Sequence, residues 1–370
     1  MNKKNYLVVI ILLVFIPGFL YLFNTSRLGQ ESHEDVLNIY TWLDFIPPSL
    51  QKKFEDETGI KLNIDYINSD EGLEAKLLTG KSEYDIVYPS TPYVFRHIKL
   101  GLYQALNLSK IPNIEYVDRD IIAEFQTTQQ TYAVPYLWGT SGFAYDEDSF
   151  AKAFPNQVID TWDYMFAPNK LRQIADKGVA STSSANELFC AVGFWMGHKP
   201  GECPEHFIDD AAAAAKEARP FWRVLLSSDA AIDALGLGEV AAAFIWNGDA
   251  VAAGKLAANR GKTIKYVVPR EGALKWIDSM AIPHNATNVE AAHRFINFLL
   301  RPEHMAEVTN FVQFANSSQY SKPFVFKHIL ENKTLYPDQE IMRRLTLDKR
   351  VDPKYERTIN RHFFKILVGY

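Results

Sequence analysis

The sequence predicts an α/β protein of two domains with a ligand cleft between them, and three observations carry that prediction. At 370 residues the chain has room for two cores, on a scale of roughly 100 to 200 residues per domain. Strand-like and helix-like segments alternate from residue 36 to 88 and again from 178 to 268, the pattern of a parallel sheet covered by helices on both faces. Two extended stretches, Tyr132–Tyr145, which carries aromatics and glycines, and Trp276–Pro283, which opens on a tryptophan, read as connections between the two runs, and a pair of α/β domains joined this way binds ligand at the carboxyl ends of its strands and can close like a hinge.

Taken in order, Val36–Tyr40 reads as a first strand, Ser49–Thr58 as an amphipathic helix stopped by Gly59, and Lys61–Tyr66 as a second strand. A helix over Glu71–Thr79 stopped by Gly80 leads to a third strand, Tyr84–Tyr88. In the second run the elements are a strand at Gly178–Ser181, a helix at Asn186–Gly197 and an alanine-rich helix at Ile208–Leu226. They continue with a strand at Val240–Trp246, a helix at Asp249–Ala258 and a strand at Thr263–Val268.

Ahead of the first strand, Lys3 and Lys4 precede Tyr6–Phe23, an uncharged apolar run. Lysines, an apolar run and a polar follow-on make an export segment, with the lysines left inside and everything beyond delivered outward. No small-x-small cleavage site is obvious, and the run is just short of a comfortable ~20-residue membrane span; a cleaved signal over residues 1–30 is preferred to a retained anchor. The protein is thus expected in the periplasm.

Charge argues against nucleic acid. Lys and Arg total 39 against 44 Asp and Glu, where a polyanion binder would show a basic excess. Removing residues 1–30, which hold Lys3, Lys4 and Arg27 and no acid, takes the net charge from −5 to −8. Two cysteines do not make a disulfide scaffold, but Cys190 and Cys203 could form one bridge in an oxidising compartment, with two free thiols as the alternative. The run Cys190, His198, Cys203, His206 lacks the tight paired spacing of a structural zinc site.

Catalytic motifs fail in turn. LLTGKSE ends like a phosphate-binding loop but has Ala75 where the pattern needs glycine. There is no GxSxG elbow, HExxH helix or EF-hand loop, so neither an enzyme nor a cofactor is expected. What stands out is tryptophan beside aspartate where strands are predicted to end: Trp42 with Asp44, Trp246 with Asp249, Trp276 with Asp278, and Glu187 opening a helix. Each pair alone reads as a core indole and a helix cap. Three pairs converging on one cleft suggest amine recognition. Ammonium groups only donate, carboxylates only accept, and indole faces hold both methylenes and cations.

These stretches resemble the periplasmic spermidine- and putrescine-binding proteins of polyamine ABC transporters. The matching segments are LNIYTWLDFIPPSLQKKFEDETGIKLNID, YDIVYPSTPYV, YAVPYLWGTSGFAYD, GEVAAAFIWNGDA, WIDSMAIPHNA, INFLLRPE and KTLYPD, in order across residues 36–340. The resemblance implies a type II periplasmic-binding-protein fold. Residues 31–141 with 279–323 would make domain I, and 142–278 with 324–370 domain II. It implies a monomer that closes on a polyamine and delivers it to the membrane permease of an ABC transporter, or alternatively reports it to a membrane sensor protein. It places the aromatic slot on Trp42, Trp246 and Trp276, with Phe45 and Phe314 beside it, the amine-binding acids on Asp44, Glu187, Asp249 and Asp278, and a polar contact on Ser90. Leu43 and Phe45 stand where family members carry hydroxyls, and Ser183 and Ser184 stand where spermidine-type members carry an Asp pair.

Overall fold

A computed structural model describes residues 36–125, 130–182, 184–198, 205–224, 228–350 and 352–368. The export segment therefore lies outside the described residues, as does Cys203. Cys190 is buried, with its Sγ 2.9 Å from Arg350 Nη2.

The first strand, β1 (Val36–Thr41), runs parallel between β2 (Lys61–Tyr66) and β3 (Ile86–Val87). Helix α1 (Pro48–Thr58) covers this edge. Proline suits its first turn, where no backbone donor is needed. Leu50 and Phe54, four residues apart, are buried on one face, and Phe54 meets Phe295 and Phe298 edge-on at 4.9 and 5.3 Å between ring centres. Helix α2 (Asp70–Leu78) follows, capped by Ser69, whose hydroxyl accepts from Gly72 N at 3.1 Å.

Two strands cross the whole sheet. β4 (Ala133–Asp146) is 14 residues long and buried almost throughout. Its first half pairs antiparallel with β9 (Ala273–Ala281), from Ala133 opposite Ala281 to Thr140 opposite Lys275, with a bulge between Pro135 and Leu137. Its second half pairs with β7 (Ala242–Trp246), Ser141 opposite Trp246, and with β8 (Ile264–Val267). Beyond β7 lie β5 (Val179–Ala180) and β6 (Trp222–Val224), both parallel. The path of the sheet is β2-β1-β3-β9-β4-β7-β5-β6.

Buried apolar side chains gather in two large clusters that change over within these crossing strands. Along β4 the change falls between Trp138 and Phe143, and along β9 between Leu274 and Ile277. The first cluster includes Ile39, Phe54, Tyr136 and Phe295; the second includes Phe143, Trp162, Phe189 and Phe244.

Most sequence-predicted elements fall within a few residues of the observed ones, and three differ. The alanine-rich helix runs Glu205–Ala218, not to Leu226, because Pro220 cannot donate to a continuing helix, and Trp222–Val224 extends to pair with β5. Trp276 and Asp278 lie inside β9, opposite Gly139 and Leu137, and not at a strand end. The third strand is limited to Ile86–Val87, with Asp85 N and Tyr88 N on either side still donating to Asn38 O and Tyr40 O of β1 at 2.7 and 3.1 Å. Asp85 is fully buried, and its carboxylate accepts from Asn38 N, Thr287 N and Asn288 N at 2.8–3.1 Å, tying β1 to the start of the helix Val289–Leu299.

Replacing that acceptor would orphan three part-buried amide donors. Asp85→Ala is expected to lower unfolding free energy by on the order of 3 kcal/mol in denaturant titration; a loss within measurement error would contradict the role given to Asp85.

Candidate functional site

On the second-core side the site is built around Glu187. The helix Ala185–Trp195 starts at Ser184, whose hydroxyl accepts from Glu187 N at 3.3 Å. Serine followed three residues later by glutamate normally forms a reciprocal box, the acid reaching back to the amide of the capping serine. Here that amide bonds instead to Thr182 Oγ1 at 3.1 Å. The released carboxylate accepts from Trp246 Nε1 at 2.6 Å, Ser141 Oγ at 2.7 Å and Thr182 Oγ1 at 3.0 Å. Burial still outweighs these three donors and holds the pKa of Glu187 above the usual carboxylate value.

Three aromatic rings continue from there. Trp246 meets Trp276 at 6.1 Å between ring centres with the planes 62° apart, and Trp276 meets Phe314 at 5.0 Å and 76°. Edge-to-face contacts of this kind add roughly 0.5 to 1.5 kcal/mol beyond burial. Two glycines make room for them. A Cβ on Gly139 would lie 2.3 Å from the Trp276 ring, and one on Gly248 2.3 Å from the Phe314 ring. The buried Nε1 of Trp276 has no hydrogen-bond partner among the described residues.

Asp278 lies two residues along the same strand from Trp276 and hence on the same face. It is 4% exposed, and its Oδ1 is likewise without a partner. Its backbone bridges to Ser90, whose hydroxyl favours the charged form of the carboxyl. Desolvation pushes the pKa of Asp278 well up, and the neighbouring Asp70 charge adds to that. Asp70 accepts from Ser90 N at 2.9 Å, and burial pushes it up to about 7 despite that bond. The Glu187 carboxylate also raises Asp70, so acids from both cores sense each other.

The remaining sequence-predicted residues are placed differently. Trp42 is half-buried with its Nε1 donating to Tyr88 O at 3.0 Å, and Phe45 is buried against Tyr136 at 6.4 Å between ring centres. Asp44 is exposed, at a left-handed φ of 63°, and lines a separate small pocket with Thr41, Gln51 and Tyr66. Asp249, at the third position of the helix Asn247–Ala258, is half-buried, and its charge, like that of Glu187, acts on the Tyr266 hydroxyl. Tyr266 donates to Thr140 O at 2.8 Å. The structure therefore brings Glu187, Trp246, Trp276 and Phe314 together in one chain of contacts, with Asp278, bridged to Ser90, two residues along β9 from Trp276 and Asp249 on the flank. It adds Asp70, Ser141, Thr182 and Tyr266, which sequence reasoning missed. The only sequence signal for Asp70 was an acid in the first turn after Ser69, which a helix start already explains.

The profile of the family described as bacterial extracellular solute-binding protein matches residues 49–323. The putrescine-binding periplasmic protein SpuD of Pseudomonas aeruginosa is 36% identical over 94% of this chain and 95% of its own length. The chain belongs to the bacterial extracellular solute-binding proteins. The putrescine-binding periplasmic protein PotF of Escherichia coli is 31% identical over 96% of each chain. Among solved structures, a Listeria monocytogenes protein described as a spermidine/putrescine ABC transporter superposes with a TM-score of 0.80 and 26% identity, covering 91% of this chain and 100% of that one. The fold is thus that of the periplasmic binding proteins, and solute-binding proteins bind without catalysing a reaction.

The buried acids set a pH dependence for this solute-binding protein. A carboxyl whose pKa is raised by folding keeps its proton where the unfolded chain, at about 4, has lost it, so the stability it contributes is full below pH 4 and declines as pH rises through the folded value, about 7 for Asp70. The ligand-free protein is expected to melt at a lower temperature at pH 8 than at pH 5.5, and Asp278→Asn is expected to narrow that gap in thermal scans at the two pH values. A gap left unaltered by the substitution would remove Asp278 as its source.

Proposed function

We propose that this protein captures a linear polyamine in the slot between its two cores and presents it to the membrane permease of an ABC transporter. The observation that carries this reading is the buried Asp278 carboxyl with an unpartnered oxygen, two residues from an indole whose own Nε1 is unpartnered. A buried carboxylate without a partner calls for a donor that carries positive charge. An ammonium meets that need, and the methylenes behind it suit the edges and faces of Trp246, Trp276 and Phe314. Glu187, with Trp246 beside it, and Asp249 supply acids from the second core, as a ligand with a second ammonium requires. No arginine is among these residues to clamp a carboxylate, which disfavours an amino acid. The relatives named for putrescine support the same ligand class.

The change of core within β4 and β9 supports two domains hinged on those strands, residues 31–141 with 279–323 and 142–278 with 324–370, although in β9 it falls between Leu274 and Ile277 and so puts Ile277 with the first core. A ligand touching both sides binds the closed form better than the open one, and only that difference shifts the population. The charge-flanked apolar run Tyr6–Phe23 supports export to the periplasm, and among the described residues no helix is long and apolar enough to cross a membrane.

Calorimetric titration is expected to give one site for putrescine or spermidine and none of comparable strength for glutamate. Asp278→Ala should cost about 2 to 4 kcal/mol in binding, through loss of a desolvated charge-assisted hydrogen bond. Glutamate binding as tightly as any diamine would overturn the polyamine reading, and an unchanged affinity in Asp278→Ala would place the slot elsewhere.

A further inference from the structure

Asp70 and Asp278 approach one serine from two sides. Ser90 N donates to Asp70 Oδ1 at 2.9 Å and the Ser90 backbone bridges to Asp278, so the two acids meet at one residue, whose hydroxyl favours the charged form of each carboxyl. One hydroxyl has one proton to give, so it satisfies one carboxylate at a time. Asp278 Oδ1 has no hydrogen-bond partner among the described residues, in a residue only 4% exposed.

The charges acting on the pair are all of one sign. Asp70 is faced by Glu71 on its own helix and by Glu187 from the second core, while Asp278 is faced by Asp70. The neighbouring hydroxyls of Tyr93 and Tyr103 are neutral and feel the acids without offsetting them. One helical turn along α2, Glu74 shows the contrast. It has Arg96, with Nε at 2.7 Å and Nη2 at 2.8 Å, and Arg96 also reaches Glu356. The cation given to Glu74 has no counterpart among the groups acting on Asp70. Two acids, Asp278 buried and Asp70 half-buried, that meet at one serine with no cation among the described groups acting on them stay together by sharing a proton, as close carboxylate pairs do.

We propose that Asp70 is a second acid of the ammonium subsite at Asp278, and that an entering ligand ammonium displaces a proton held by the Asp70–Ser90–Asp278 group to solvent. The inference rests on the polyamine reading and deepens it: capture is then coupled to proton release and weakens as the medium becomes acidic. Charge balances in the exchange, since one cation enters the subsite and one proton leaves. Asp70 would also separate ligands by charge, since a neutral or singly hydrogen-bonding group in place of the ammonium cannot release the proton.

The test is calorimetry with putrescine at pH 6.5 in two buffers of widely different ionisation heat, which gives the number of protons exchanged. The wild-type protein is expected to release on the order of one proton per putrescine, with affinity falling by up to about tenfold per pH unit on acidification. Asp70→Asn, which keeps an acceptor for Ser90 N, is expected to release clearly less and to show a flatter affinity profile between pH 6 and 8. Binding with no proton exchange in the wild type overturns the proposal while leaving the polyamine reading standing, and this arm decides even if the variant does not fold. Equal proton release in Asp70→Asn also overturns it. Failure of every polyamine to bind overturns the underlying reading and this inference with it.

Discussion

Everything around the slot answers to one constraint, the carboxyl of Asp278 held out of water without a protein cation beside it. Taking an ionised carboxylate from water into a protein interior costs several kcal/mol unless hydrogen bonds or an opposite charge offset it. Ser90 offsets part of that cost, and protonation offsets more, as the raised pKa shows. What remains is a preference for a cation of the right reach. In a solute-binding protein that unmet preference is useful, because the binding free energy comes from satisfying groups the fold has left under-satisfied.

The fold holds Asp278 in that condition through its strands. β9 is tied to β4 on one side by pairing from Ala281 to Lys275, and it touches β3 at Ala281 on the other. The same ladder puts Trp276 opposite Gly139, where the missing side chain lets the indole lie against the backbone. One register further, β4 places Ser141 opposite Trp246, and both of those side chains close on Glu187. One strand, β4, through its pairings with β9 and β7, thus orders an acid, two indoles and a second acid. Because the cores change over in the same two strands, a hinge motion would alter the distance between the acids while leaving each bonded to its own side.

Much of this was legible in the sequence, and the failures have physical causes. Glu187, Trp246, Trp276 and Asp278 could be chosen because an indole near a carboxylate is chemically suggestive wherever it occurs. Their placement was less legible. Trp276 and Asp278 were expected at a strand end and occupy mid-strand, since the pairing that buries them comes from residues more than a hundred positions away. Asp70 was invisible because a serine cap and an acidic first turn account for it locally, and only the approach of Ser90, from the segment after β3, makes it part of the site. Asp44 was the reverse case: its position after β1 matched the pattern, yet the left-handed turn leaves it exposed beside another pocket. The end of the alanine-rich helix was marked by Pro220, a signal the long apolar periodicity outweighed.

A crystal structure of the protein grown with putrescine tests the central claim most directly. The account requires one ligand nitrogen within hydrogen-bond distance of Asp278 Oδ1, with the methylene chain against Trp276 or Trp246. Putrescine bound at another surface, with Asp278 Oδ1 still unpartnered, would contradict it.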